Sequence, residues 1–517
     1  MYRLGIDVGG TNTDAVIVDD QLQVVAHIKT PTTEDVYTGI VQAIKQVLRS
    51  SDIDRSQITQ AMLGTTHCTN AIVERKNLAD IGVLRLAAPA TLGIKPMVDW
   101  ASDLAQIAKE VQVIGGGFEF DGKELAPVDI EAAQAFFKKC SQHGVLSVAI
   151  IGVFGTVRDD QEVETGKLAQ EILGSNCHLS LSSRIGSMGL VERENATILN
   201  ATLYKVAQSF TEGFERSLQD ENVTNAQVYF SQNDGTLMTK ETTRDYPILT
   251  IASGPTNSIR GASYLSKLKN AIVVDVGGTT TDIGTLTNGF PRESSIAVTI
   301  GGVRTNFRMP DVISIGLGGG SIVRETENGI TVGPDSVGYE ITKKALVFGG
   351  DTLTATDIAV RLGLAPSVGN PELVQHLDQQ LCQQALQVIK ELVEDHIDAM
   401  KVSSEPVDIV LVGGGSIIIP EQLNGVKKVH KPKFFETANA IGAAISKVSG
   451  VFEQLISYDQ TPRDDALELA RTEAVRQAVE NGAIAETVEI IDIEDVMLQY
   501  HDGNVHRVKA KAAGDLT

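Results

Sequence analysis

Two octapeptides in this 517-residue chain are almost the same, DVGGTNTD at 7 to 14 and DVGGTTTD at 275 to 282. Each follows a short apolar run and leads into another, which predicts strand, glycine turn, strand. Gly9 and Gly10, like Gly277 and Gly278, permit a tight turn whose N–H groups meet an anion with no Cβ in the way. Thr11 and Asn12, and Thr279 and Thr280, add side-chain polar groups to the same turns. Asp7 and Asp275 end their first strands at the turn, placed to hold a phosphate-bound Mg²⁺ directly or through water. Two such hairpins facing each other would enclose one nucleotide. Helix-opening phosphate loops are excluded, since neither GxGxxG nor GxxxxGK[ST] occurs at either place. The plainer account is a pair of ordinary Gly-Gly turns. A repeat differing only at Asn12 against Thr280 argues for shared architecture instead.

Four further stretches carry candidates. AMLGTTHCTNAIVERK at 61 to 76 runs from a strand through Gly-Thr-Thr into a helix, with Thr65, Thr66 and Thr69 as caps and an anion site at the helix start. His67 there is a second-rank acid-base candidate, because a lone histidine is more often structural. ILTIASGPTNSIRGA at 248 to 262 leads through Ser253, Gly254 and Pro255 into a helix, with Pro suited to the first turn. VISIGLGGGSIVRE at 312 to 325 places Gly318, Gly319 and Gly320 after a strand. VDIVLVGGGSIIIPEQL at 407 to 423 does the same with Gly413, Gly414 and Gly415, then sets Ser416 at a helix start that could receive a nucleoside.

The elements that would position these groups alternate. After the first hairpin, QVVAHIKTPT reads as a further strand. Residues 34 to 53 then space Val36, Ile40, Ala43, Ile44, Val47 and Leu48 as one helical face. Strands at 81 to 89 and 144 to 160 and a helix from 161 imply an α/β layer. Near 180 the character changes, as a long helix is entered through Glu192, Arg193 and Glu194. The expected organisation is an N-terminal lobe at 1–179, a second lobe at 180–449 with the second hairpin and adenosine loop, and a small C-terminal α/β unit at 450–517.

Composition bounds the partners. Acidic residues outnumber basic ones by 66 to 44, a formal charge of −22, which opposes nonspecific binding to nucleic acid or anionic membrane. Cys68, Cys140, Cys177 and Cys382 lack metal-like spacing and read as reduced thiols. With no signal-like start and no run of about 18 apolar residues, a cytoplasmic location is expected.

The paired hairpins followed by strand-GGG-helix resemble the superfamily of actin, the heat-shock chaperone ATPases and the sugar kinases. Within it, GTTHCTNAIVERK, LVERENATILNATL, SQNDGTLM, ASGPTNSIRGA, DVGGTTTDIG, SIGLGGGSI, LTATDIAVRLG and ANAIGAA resemble, in order, the hydantoinase A / 5-oxoprolinase family. The resemblance spans residues 5 to about 446 and implies a two-lobed actin-like ATPase (ribonuclease H-like) fold with a nucleotide cleft between lobes. It implies ATP and Mg²⁺ as cofactors, and a small-molecule cyclic amide or related carbonyl compound as substrate. On that basis Asp7, Gly9, Gly10 and Thr11 belong to one phosphate site, and Asp275, Gly277, Gly278 and Thr279 to the other. Asp14 or Asp282 would orient metal-bound water. Gly413, Gly414, Gly415 and Ser416 would face the adenosine, while Ser253, Gly254, Asn233 and Asp234 line the cleft and Gly318, Gly319 and Gly320 complete it. Thr65, Thr66, His67 and Asn70 would reach in from the other lobe.

Two departures bear on the substrate. IGVLRLAAP stands where full-length hydantoinases carry a TKGFRD-like stretch, and VRDDQE at 157 to 162 replaces an NPxHE-like pattern. The chain carries nothing resembling a hydantoinase B subunit, so a B-type partner or a homo-oligomer is expected. The alternatives are a small-molecule kinase of the same fold and a nucleotide-switched binding or activator protein.

Overall fold

The computed structural model describes residues 1–32, 36–51, 53–294, 297–307, 309–327, 329–498 and 504–516. Its largest sheet has nine strands. From one edge to the other they are Glu489–Met497, Val505–Gly514, Val448–Ser457, Leu237–Thr239, Gln227–Ser231, Ile58–Thr65, Tyr2–Val8, Asn12–Asp19 and Val24–Pro31. A second sheet orders Phe290–Pro291, Thr281–Thr287, Ala271–Val276, Val407–Val412 and Val426–His430, with Val312–Ile315 also joined to Thr281–Thr287. A third, all parallel, holds Ala108–Gly115, Ile81–Ala88, Ser147–Gly152 and His178–Leu181.

The same unit is built into both large sheets. A glycine hairpin is flanked on its first strand by a parallel neighbour, Ile58–Thr65 for Tyr2–Val8 and Val407–Val412 for Ala271–Val276. Parallel neighbours put the carboxyl ends of both strands on one edge, the edge at which open α/β sheets bind ligands. The helix expected over 34 to 53 runs Val36–Arg49 and buries Ile40, Ala43, Ile44, Val47 and Leu48 against the first sheet. The side chain of Val36 and the first residues of that stretch lie outside the description.

Two differences from the expected organisation follow from strand pairing. Near 180 the chain leaves the third sheet at Leu181, but it returns to the first large sheet rather than passing to the second. Gln227–Ser231 and Leu237–Thr239 join the first sheet, and the helix Leu190–Thr202 packs in its core and against the third sheet. There Glu194 takes a two-pronged bond from Arg85 at 2.6 and 2.7 Å, both side chains buried. Arg193, which donates to the Gly152 carbonyl, and Glu194 thus tie this helix start to the third sheet. The stretch after 450 likewise continues the first sheet instead of forming an appendage. Val448–Ser457 leaves the helix Ala438–Ile445 directly into the ladder, and Leu237 donates to the Lys447 carbonyl at 2.8 Å. Val505–Gly514 then brings Lys509 and Lys511, both buried, to Glu293 at 2.7 and 3.2 Å. All four cysteines are buried and unbridged.

Two helices run between the large sheets, Ser253–Ser266 and Ala438–Ile445. Their crossing requires glycine, because a Cβ on Gly261 would fall 1.8 Å from the Ala438 carbonyl oxygen and one on Gly442 would fall 1.8 Å from that of Asn257. Backbone therefore meets backbone between the lobes.

Candidate active site

The two hairpin tips touch. Thr11 Oγ1 lies 3.2 Å from Thr279 Oγ1, and a Cβ on Gly278 would meet the Thr11 methyl at 2.8 Å. Each turn closes on itself, Gly9 donating to the Asn12 carbonyl at 3.0 Å and Gly277 to that of Thr280 at 2.8 Å. Among the described residues nothing accepts from the N–H groups of Gly10, Thr11, Gly278 or Thr279. These four N–H groups sit at incompletely buried positions. Opposed turns with spare donors form an anion seat.

Strand register sets a carboxylate pair behind each tip, Asp7 opposite Asp14 and Asp275 opposite Asp282. Each first aspartate is seated by a glycine on the parallel neighbour. A Cβ at Gly64 would stand 2.2 Å from Asp7 Oδ1, and one at Gly413 would stand 2.3 Å from Asp275 Oδ1. Asp7 is buried and accepts from Asn257 Nδ2 at 2.9 Å and Asn439 Nδ2 at 3.0 Å. Asp275 accepts from Ser258 Oγ at 2.5 Å. One helix, Ser253–Ser266, thus holds both aspartates through adjacent residues. Desolvation pushes Asp7 up to about 6, with repulsion from Asp14 and from Asp275 on the other hairpin adding to it. Desolvation also raises Asp275, and carries Asp282 to about 6 with Asp275 contributing. Charges from both hairpins therefore share one field. Asp14, by contrast, is paired with Lys29 Nζ at 2.7 and 2.8 Å.

Other expected residues divide between the seat and its support. Gly413 adopts φ 87°, and Gly415 packs on the Gly277 carbonyl, where a Cβ would lie at 2.2 Å. Ser416 lies in the middle of a short 3₁₀ turn, Gly414–Ile418, rather than at the start of an α-helix, and its buried Oγ has no partner among the described residues. Such an orphaned hydroxyl suits a nucleoside contact. Gly254 lies in the first turn of the bridging helix with no protein atom within 4 Å of a would-be Cβ, while Ser253 Oγ donates to the Thr65 carbonyl at 3.3 Å.

Gly318, Gly319 and Gly320 do not present N–H groups to the cleft. Gly319 and Gly320 donate to the Gly277 and Gly278 carbonyls at 3.0 and 2.7 Å, and Gly318 to Ser321 Oγ at 2.8 Å. They buttress the second hairpin from behind. His67 is likewise turned into structure. It stacks on Phe210 at 5.7 Å between centroids, bonds Thr65 Oγ1 through Nδ1, and is carried down to about 4 by burial. Asp234 is bound by Thr236 and forms an ion pair with Lys511 at 2.8 Å, a partner drawn from the C-terminal strand. The strand-to-helix junction at Thr66, before the helix His67–Glu74, reaches the first hairpin through Thr66 Oγ1, 3.4 Å from the Val8 carbonyl.

Asn257, Ser258, Asn439 and Lys29 were not singled out from sequence. The first three stand inside the conspicuous segments ASGPTNSIRGA and ANAIGAA, one helical turn from their glycines, and Lys29 faces Asp14 in register.

The model of the hydantoinase/oxoprolinase N-terminal region matches residues 3–173, and that of the hydantoinase/oxoprolinase domain matches 193–400. Relatives include 5-oxoprolinase 1 of Arabidopsis thaliana, 26% identical over 78% of this chain and 34% of that protein. Caprolactamase subunit alpha of Pseudomonas jessenii is 25% identical over 88% of this chain and 67% of that protein. The chain thus spans about a third to two thirds of the length of these relatives. In fold it is similar to the ATP-dependent caprolactamase from Pseudomonas jessenii, with TM-score 0.76 and 20% identity over 100% of this chain and 88% of that one. It is also similar to nucleotide-free acetone carboxylase, with TM-score 0.69 and 16% identity over the same shares. The fold is the two-lobed, actin-like α/β arrangement, and the chain belongs to the hydantoinase/oxoprolinase family.

Proposed function

We propose that this chain is an ATP-dependent enzyme, or the ATP-hydrolysing subunit of one, that activates a cyclic amide or related carbonyl compound. The observation that carries the reading is the meeting of the hairpin tips at Thr11 and Thr279, with uncommitted N–H groups on both sides and carboxylates behind both. One bound polyphosphate can use both turns at once. Ser416 and the glycines before it suit the nucleoside, and Gly254 at the start of the bridging helix suits an anion. The names of the relatives, a caprolactamase and 5-oxoprolinases, indicate lactam chemistry.

A resonance-stabilised amide is a poor electrophile. Phosphorylating its oxygen through ATP turns that oxygen into a leaving group and opens the carbon to water, so the protein's task is alignment and charge stabilisation. Asp7 and Asp275 fit Mg²⁺, which keeps much of its water and uses one or two carboxylates beside phosphate oxygens. On this reading Asp14 and Asp282 orient water or substrate at the same seat. A B-type chain or a second copy supplying the remaining catalytic surface fits the subunit naming of the caprolactamase relative.

The test is phosphate release from MgATP with a panel of lactams, hydantoins and 5-oxoproline, alone and with a co-expressed B-type chain. Stimulation by one compound that is itself opened is the expected result. A phosphorylated product that accumulates intact would make the chain a kinase instead. ATP binding that no compound or partner converts to turnover would favour a nucleotide-switched binding protein.

A further inference from the structure

Four carboxylates stand behind the hairpin tips, and three are held by neutral donors. Asp7 has two asparagine amides, Asp275 a serine hydroxyl, and Asp282 a hydrogen bond from Ser314. Asp14 alone has a cation, Lys29, which sits directly opposite it on Val24–Pro31 and donates to both carboxylate oxygens. The pair is lopsided, since the Lys29 side chain is 30% exposed and that of Asp14 only 2%. The lysine stem also leaves its own lobe. Its Cε and Cδ pass 3.4 and 4.0 Å from where a Cβ on Gly414 would stand, so it lies along the glycine loop of the second lobe. Its charge reaches Asp275 as well. A strut that only braced a β-ladder would have no reason to extend between the lobes to the nucleoside loop.

We propose that Lys29 is an exchangeable counter-ion of the cleft: with no nucleotide it neutralises Asp14, and when a metal-bound nucleoside triphosphate enters, its ammonium transfers to a terminal phosphate oxygen and frees Asp14. Lysine suits such an exchange because its ammonium is a compact charge on a flexible stem. Asp14 is then available to a water or substrate proton only when a terminal phosphate is present. This inference rests on the nucleotide reading of the cleft and adds selectivity for a triphosphate over a diphosphate.

The experiment is calorimetric titration of ADP and a non-hydrolysable ATP analogue, each with Mg²⁺, into wild type, Lys29→Met, Lys29→Arg and the charge-balanced double variant Lys29→Met/Asp14→Asn. Losing one charge-assisted contact weakens the triphosphate analogue about 10- to 100-fold. ADP affinity is expected to move less than about threefold on the same grounds, and Lys29→Arg to restore part of the difference. The double variant leaves no buried charge unpaired, so it separates contact from folding and should keep the same loss of triphosphate preference. Equal weakening of both nucleotides, or wild-type affinity for both in the double variant, would overturn the proposal. If wild type bound neither nucleotide, the function proposed above would fail first, and this inference with it.

Discussion

The two hairpins carry nearly one sequence in two different settings. The first is sealed. Asp7 is buried between two amides, and Gly5 packs so tightly on the second bridging helix that a Cβ would come 2.4 Å from the Ala440 carbonyl oxygen. The second is propped from behind by Gly318, Gly319 and Gly320, and is edged by the loop from Gly413 to Ser416. Its Asp275 is only half-buried and has a single hydroxyl donor. A shared octapeptide therefore specifies a turn and a carboxylate, while the neighbours decide the duty. Under the proposed function the first hairpin is the fixed jaw and the second the one that meets the nucleoside.

The largest test of that contrast concerns the seating glycines. Gly413 has φ 87°, and a Cβ there would strike the Val276 carbonyl as well as Asp275. At Gly64 the nearest atoms a Cβ would meet belong to the Asp7 and Asn257 side chains. Gly413→Ala is expected to destabilise by roughly 3 kcal/mol or more and Gly64→Ala by roughly 1–3 kcal/mol, read by urea unfolding. The reverse order would mean that the first hairpin carries the greater constraint.

Next come the two donors on the bridging helix. Removing a hydrogen bond to a charged group costs about 1.5–3 kcal/mol. Ser258→Ala, which takes the donor from Asp275, is expected to lower kcat/KM for phosphate release about 10- to 100-fold on that basis. Asn257→Ala leaves Asp7 its bond from Asn439 and is expected to cost less, about 3- to 10-fold. Equal losses would erase the distinction between fixed and working jaw.

The smallest expected effect is on pH. Asp7 and Asp282 both stand at about 6, above their unfolded values. Between about pH 4 and 6 the folded protein then binds more protons than the unfolded chain, so the stability gained by protonation is lost as pH rises through that window. The Tm of the nucleotide-free protein should fall between about pH 4 and 6, and fall less in Asp7→Asn/Asp282→Asn. A Tm that rose in parallel for both proteins would place the dominant titration elsewhere.

Much of this was legible in the residues because the hairpins are local. Their turns, the glycine runs and the amphipathic helix at 36–49 depend on neighbours in sequence, and the structure forms them there. What escaped was set by pairing across long separations. Asn257 and Asn439 reach Asp7 only because two helices cross at Gly261 and Gly442. Lys29 meets Asp14 through strand register, and Lys511 reaches Asp234 through an antiparallel strand added at the end of the chain. His67 has the chemistry of a catalyst but a neighbour, Phe210, more than 140 residues away that draws its ring into the core. Gly318, Gly319 and Gly320 looked like a ligand loop, since the sequence does not say that the hairpin's own carbonyls take two of their N–H groups.

The central claim is that both hairpins hold one nucleotide together. Its most direct test is calorimetric stoichiometry of a non-hydrolysable MgATP analogue for wild type, Asp7→Asn and Asp275→Asn. One site per chain, weakened by either substitution, is the expected result. Two independent sites, or a single site that one of the substitutions leaves untouched, would contradict it.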